Sequence, residues 1–170
     1  MPHGNYQTRP RYFITFERLS KRLDRRIWYL DLRHIVFNYF YGVTLLNKKF
    51  RSANKAFTQC KNAKKVFYGI NDIEGEKECY IVEGEMDKLA LYEAGYKNCI
   101  SVPNGANDLN DVFETCGDEL KEIEKYYIAV DNDEAGQKLE KALINRLGKW
   151  KCSKIVFVNG KDANDELMHS

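Results

Sequence analysis

From Glu78 onward one pattern repeats: a short β-branched or aromatic run, then a turn, then residues at helical spacing. Short apolar runs of this kind are strands buried on both faces, and parallel neighbours need long crossover connections such as helices. The runs fall at 78–82, 98–103, 127–130 and 154–159, with helices expected over 86–94, 111–125 (Gly117 being a candidate break) and 134–147. Gly95 stands where helices commonly end in a left-handed cap, and the last of these helices is expected to stop at Gly148. The fold class that satisfies this order is α/β, with a doubly wound, mostly parallel sheet. Ligand sites of such sheets gather beyond the carboxyl ends of the strands.

Three of the four runs end in carboxylates. Cys79-Tyr80-Ile81-Val82 leads into Glu83-Gly84-Glu85-Met86-Asp87, Tyr127-Ile128-Ala129-Val130 into Asp131-Asn132-Asp133, and Ile155-Val156-Phe157-Val158 towards Lys161-Asp162-Ala163-Asn164-Asp165. Two unit negative charges about 5 Å apart repel by roughly 3 kcal/mol at an effective dielectric near 20, so a fold that gathers these acids needs a compensating partner, of which a cation is the simplest. Hard oxygen ligands select Mg²⁺, Mn²⁺ or Ca²⁺, and Mg²⁺ typically leans on one or two carboxylates plus substrate phosphates. That combination points to phosphoryl or nucleotidyl transfer, in which Glu83 is the candidate general base and Asp131 and Asp133 the candidate ligands, with Asp87 and Asp162 beside them. Each acid also has a plain structural reading: Glu83 as a surface residue near a helix start, Asp131 and Asp133 as turn residues, Asp87 and Asp162 as helix caps.

Formal charge divides sharply along the chain. Residues 1–68 carry 15 Lys/Arg against 3 Asp/Glu, whereas residues 69–170 carry 12 against 22, so a net +2 conceals +12 and −10. A basic face recruits phosphates and an acidic pocket recruits metal ions; a polynucleotide enzyme needs both. The basic part holds a weak helical pattern over 16–32, then two runs, 35–41 and 43–51, around Gly42, which read as a β-hairpin. Lys49 and Arg51 share one face of its second arm, with Lys55 just beyond, and all three are candidates to hold triphosphate, or else plain solvated surface cations. Tyr39, Phe40 and Tyr41 read as packing residues more readily than as base-stacking ones. A polar connector around 69–76 divides the chain into a basic α+β subdomain, 1–75, and a metal-binding domain, 76–170.

The 170 residues suffice for one well-buried core with a small appendage. Five cysteines (60, 79, 99, 116 and 152) form no C-x-x-C pair and have no His at zinc-site spacing, as expected of reduced thiols in a cytoplasmic protein. No apolar stretch approaches the roughly 20 residues of a membrane span, so no membrane partner is expected.

Taken together, Glu83-Gly84-x-x-Asp87, Asp131-x-Asp133-x-Ala135-Gly136 and Lys161-Asp162-Ala163-Asn164 resemble the Toprim domain, the metal-binding module of primases and topoisomerases. Val102-Pro103-Asn104-Gly105-Ala106 and the stretch 38–57 further resemble the polymerase domain of phage-type and mitochondrial-type primase-helicases. The resemblance implies a DNA primase core that makes short RNA primers from ribonucleoside triphosphates on single-stranded DNA, using Mg²⁺ or Mn²⁺, with two ions expected. It also implies that Glu83 is the base, that Asp131 and Asp133 bind metal with support from Asp87 and Asp162, and that Lys49, Arg51, Lys55, Asn104 and Lys161 contact nucleotide or DNA. The setting it implies is a nucleoid or phage replisome. The sequence holds neither a cysteine-rich zinc module nor a G-x-x-x-x-G-K-[ST] loop, so a zinc-binding module and a replicative helicase are expected as partners supplied elsewhere. Two other functions use the same features: a Toprim-type metal-dependent nuclease, and a catalytically silent DNA-binding or replisome-docking module.

Overall fold

The structure is a computed structural model, which describes residues 27–29, 34–158 and 160–169. Two four-stranded sheets form it, one antiparallel and one parallel. The first runs β1 (Ile27–Tyr29), β2 (His34–Tyr41), β3 (Thr44–Ser52) and β4 (Phe57–Gln59) in simple sequence order. Its centre is the expected hairpin, with Tyr41 paired to Thr44 across a two-residue loop. Positive φ at the first loop residue, Gly42, fits the tight connections that match strand twist. A register shift between Tyr39 and Phe40 adds a bulge.

The expected helix over 16–32 lies mostly outside the described residues, but at Ile27–Tyr29 it is corrected: these residues are strand β1. Ile27, Trp28 and Tyr29 pair with Phe37, Val36 and Ile35, and this partnership decides a weak local pattern rich in β-formers.

The parallel sheet has the order β6-β5-β7-β8, built from β5 (Glu78–Val82), β6 (Cys99–Ser101), β7 (Lys125–Ala129) and β8 (Cys152–Lys154). Helices α1 (Glu85–Glu93), α2 (Leu109–Lys121) and α3 (Glu134–Leu147) make the crossovers, and α4 (Ala163–His169) follows the last strand. Alternation in β5 and β7 explains why both faces must be covered. Cys79, Ile81, Tyr126 and Ile128 bury one face against Val112, Phe113, Cys116 and Leu120 of α2 and Leu139 and Leu143 of α3. Val82, Cys99 and Ala129 bury the other with Phe157, Leu91 of α1 and Ala163 of α4. Truncating a fully buried residue such as Ile81 to Ala should cost about 2–5 kcal/mol, transfer and cavity terms together.

The doubly wound parallel sheet is therefore as expected, with three local corrections, the first being that α2 ends at Lys121 and not at 125, because Lys125 already opens β7. Gly117 breaks nothing, since α2 runs through it. The last strand occupies Cys152–Lys154 and not 154–159: only Tyr126, Tyr127 and Ile128 of β7 offer it a register, so Ile155 to Val158 continue past the ladder, where Val156 and Val158 are exposed.

The two sheets meet through the segment 66–73. Tyr68 packs its ring on Phe37 and Tyr39 of the hairpin, at centroid distances of 5.8 and 5.1 Å, while its backbone bridges Ser101 at the end of β6. One apolar cluster consequently runs from Phe37 and Tyr39 through Tyr68 to Ile100 and Ile128. Among the described residues no helix is long and apolar enough to cross a membrane.

Candidate catalytic site

All three acidic motifs emerge at the carboxyl end of the parallel sheet. Glu83 directly follows β5, Gly84 is the N-cap of α1, and Asp87 sits in that helix's first turn. Asp131 follows β7 by two positions, and Asp133 caps α3 by accepting the Gly136 amide at 2.8 Å. Asp162 precedes α4 and accepts the Asp165 amide at 2.8 Å. Asp133 and Asp162 therefore fulfil the capping role that their positions allowed, while each keeps a second carboxylate oxygen.

Cross-loop hydrogen bonds hold the three motifs together. The Asn132 amide donates to the Lys161 carbonyl at 2.9 Å and its side chain to the Phe157 carbonyl at 3.3 Å, joining the β7 turn to the turn before α4. The Asn164 amide donates to Asp87 Oδ1 at 3.3 Å, joining α4 to α1. Two glycines make the close packing possible. A Cβ on Gly84 would stand 2.8 Å from Asp87 Oδ2, and one on Gly136 would collide with the Asp131 carbonyl oxygen. Gly84 thus admits the Asp87 carboxylate, a neighbour within its own motif.

The acids repel one another. Burial and then the charges of Asp162 and Asp131 push the Asp87 carboxyl up to about 7, against smaller opposing hydrogen bonds from the Asn164 and Gly84 amides. Asp131 is pushed up to about 6, by burial first and then by Asp162 and Asp133, with Lys161 opposing. Glu83 is raised by burial, then by Asp131 and Asp133, although the Asp131 amide bonds to it. Asp131 is the common member of these couplings. Glu83 Oε2 is buried with no hydrogen-bond partner, an arrangement that ordinarily costs about 1–3 kcal/mol.

Hard-oxygen donors, mutual repulsion and an unpartnered buried oxygen fit a divalent cation. Among the described residues, however, no three His, Cys, Asp or Glu side chains come close enough to enclose an ion by themselves. The donor set thus suits an ion that also takes water and substrate phosphate as ligands.

The expected cationic residues fall into different environments. Lys49 and Arg51 do share a face, both lying over the Phe57 ring at 4.7 and 5.5 Å. Lys49 is also engaged inside the protein, 2.7 Å from Glu85 Oε1 and donating to the Pro103 carbonyl at 2.6 Å. Lys55 is exposed in the β3–β4 turn. Asn104 is exposed and its amide donates to Asp108, which Lys65 pairs at 2.8 Å. Lys161 is exposed with its ammonium 3.8 Å from Asp162.

Glu85 carries a role that sequence reasoning passed over. It is buried, accepts the Tyr39 hydroxyl and pairs with Lys49, so it ties both hairpin strands to the start of α1. Burial and the Glu85 charge raise the Tyr39 hydroxyl well above its usual range, which keeps it a donor. Its place in Glu83-Gly84-Glu85 was visible, but the sequence carries no signal linking it to residues some forty positions earlier. Tyr41 likewise bonds Glu119, so these hairpin aromatics serve packing and anchoring.

This fold and this acidic strand-end site define a class, and the chain belongs to the Toprim-like family, whose model matches residues 80–167. It is 39% identical over 170 residues to the primase homolog protein of Arabidopsis thaliana, covering 88% of this chain and 49% of that one. It is 37% identical over 154 residues to the same plant's chloroplastic/mitochondrial Twinkle homolog protein, covering 79% and 22%. The chain thus spans about half, or less, of the length of the curated relatives it matches. Among solved structures it superimposes on the primase fragment of the bacteriophage T7 primase-helicase with a TM-score of 0.71 at 24% identity, covering 82% of this chain and 59% of that one. The Aquifex aeolicus primase, comprising zinc-binding and RNA polymerase domains, matches with a TM-score of 0.62 at 18% identity, covering 90% and 43%. At these identities the superpositions show a common fold. The motif-based kinship with the Toprim domain of phage- and mitochondrial-type primase-helicases is borne out.

Proposed function

We propose that this chain is the polymerase core of a DNA primase, joining ribonucleoside triphosphates into short RNA primers on single-stranded DNA. The observation that carries the reading is the Glu83 carboxylate, which has one buried oxygen unpartnered and faces Asp131 and Asp133 at the strand ends. Its raised proton affinity suits it to take the proton of an attacking 3′-hydroxyl. Asp131 and Asp133, supported by Asp87 and Asp162 and shared with Glu83, are the side chains that would hold Mg²⁺ or Mn²⁺, with two ions fitting so many acids. When bound, such an ion supplies positive charge that offsets the carboxylates and polarises phosphate oxygens.

Arg51 and Lys55 present cations at the hairpin edge, and Lys161 does so beside the acids. Lys49 is held by Glu85 and the Pro103 carbonyl, and its third ammonium proton is the one that would serve a phosphate oxygen. In this reading residues 1–75 handle nucleotide and template while 76–170 provide the catalytic acids. A replicative helicase and a zinc-binding module complete the assembly, in a nucleoid or replisome. The 39% identity to a protein named a primase homolog supports the reading.

The test is primer synthesis on mixed-sequence single-stranded DNA with labelled ribonucleotides and Mg²⁺ or Mn²⁺. Glu83→Gln should lower dinucleotide formation by about 10²-fold or more with the fold retained. Near-normal synthesis by that variant would remove Glu83 from its role. Shortening of the DNA in place of primer growth would identify the chain as a nuclease, and DNA binding without either reaction as a docking module.

A further inference from the structure

The acidic half of the chain contains a basic island. Between residues 138 and 154 there are six Lys/Arg and one Glu, although residues 69–170 as a whole carry a net −10. The single Glu140 is paired with Lys154 at 2.6 Å, which leaves Lys138, Lys141, Arg146, Lys149 and Lys151 without an acidic partner among the described residues.

Their placement follows from helix geometry. Lys138, Lys141 and Asn145 stand at i, i+3 and i+7 of α3, hence on one face, and all three are exposed; Lys149 follows just past the end of the helix. The face opposite is buried through Leu139 and Leu143. Beyond Gly148 lies Trp150, 83% exposed, which no burial requirement explains. Its indole rests over Gly148, where a Cβ would come 3.1 Å from Nε1, and the Lys151 ammonium lies 5.3 Å from the ring. Lys151 also donates to the Ile123 carbonyl at 2.7 Å, fixing one side of the ring's setting.

The track has a direction. Helix α3 begins at its cap, Asp133, one of the catalytic-end acids, and runs back towards the amino end of β8, so the lysine face leads from the candidate active site to Trp150. From Lys138 to the helix end at Leu147 the face runs about 13.5 Å at the helical rise, the length of about four stacked nucleotides at ~3.4 Å each, and Gly148 carries the chain on to Trp150. Regular cations beside a flat exposed ring are the two elements that sequence-tolerant binding of a single strand requires.

We propose that the exposed lysine face of α3 and the Trp150 ring form a second nucleic-acid track, which holds a single strand running away from the catalytic acids. It lies on the parallel-sheet side of the molecule, apart from the basic hairpin, and its binding needs neither turnover nor Glu83.

Trp150 supplies its own reporter, because Trp28 is the other tryptophan in the sequence. Titrating the full chain with oligo(dT) should quench tryptophan emission. Trp150→Phe should lose most of that quenching while retaining most of the affinity, and Trp150→Ala should weaken binding about tenfold, as loss of one stacked base predicts. Lys138→Glu with Lys141→Glu and Lys149→Glu should reduce the slope of log K against log salt by about 2, as loss of three phosphate contacts to a single strand requires. Glu83→Gln should bind and quench like the parent, so failure of the primase reading and failure of this one are separable. Unchanged affinity and salt slope in both the Trp150→Ala and the triple-lysine variants would overturn the proposal. So would equal binding of poly-glutamate, which would mark a face for acidic proteins.

Discussion

The antiparallel and parallel sheets treat their charges in opposite ways. Where the hairpin meets α1, Lys49, Glu85 and Tyr39 satisfy one another inside the protein, and behind them Lys88 and Asp72 form a second pair at 2.6 Å with Lys88 fully buried. At the end of the parallel sheet, a short distance along the same motif, Glu83, Asp87 and Asp131 face like charges and are raised by them. Compensated charge marks the scaffold, and uncompensated charge marks the proposed metal site.

The strongest way to break this contrast is to remove one partner from the compensated side. Lys49→Met leaves Glu85 buried and unpaired and should lower stability by about 3–5 kcal/mol in chemical denaturation, with Glu85→Gln in the same chain recovering part of the loss. A loss no larger than that of an exposed Lys would show that the pair holds nothing together.

Packing around the acids gives the next effect. Gly136→Ala forces a methyl into the Asp131 carbonyl and should cost about 1–3 kcal/mol, with weaker Mn²⁺ binding, whereas an unchanged melt would mean that α3 yields freely.

The uncompensated side should show itself in pH dependence. Asp87 and Asp131 have folded-state values above their unfolded ones, so the folded protein binds more protons between about pH 4 and 7, and its stability falls as pH rises through that range. Metal-free protein is expected to lose on the order of 2 kcal/mol from pH 5 to pH 8, discounted for the partial exposure of Asp131. Asp87→Asn should flatten most of that slope, and millimolar Mg²⁺ or Mn²⁺ should reverse it; a pH-independent melt would sink the repulsion argument. The smallest effect is a control. Gly117 lies within α2 with open space where a Cβ would go, so Gly117→Ala should stabilise by about 0.5–1 kcal/mol without touching either charge system.

How legible the site was differs by residue. Glu83, Asp87, Asp131, Asp133 and Asp162 could be read because each stands next to a strand end or helix start, and local patterning locates such positions. The hydrogen bonds that join them, from Asn132 to the Phe157 and Lys161 carbonyls and from Asn164 to Asp87, depend on chain crossings that no local pattern encodes. Lys49 was visible as a cation on the right face of its strand, but its engagement with Glu85 and Pro103 was not. Helix α3 lies at the limits that its periodicity and Gly148 set, whereas the apolar run at 155–158 suggested a strand that pairing did not extend.

Taken alone, the order of apolar runs, turns and acids determined the α/β class, the parallel sheet and the list of candidate catalytic residues, because backbone periodicity and punctuation are written into neighbouring residues. Only the tertiary structure decided which charges are neutralised and which are left to repel. Electrostatic energy depends on distances and burial between residues far apart in the chain, and those quantities exist only once the strands have paired.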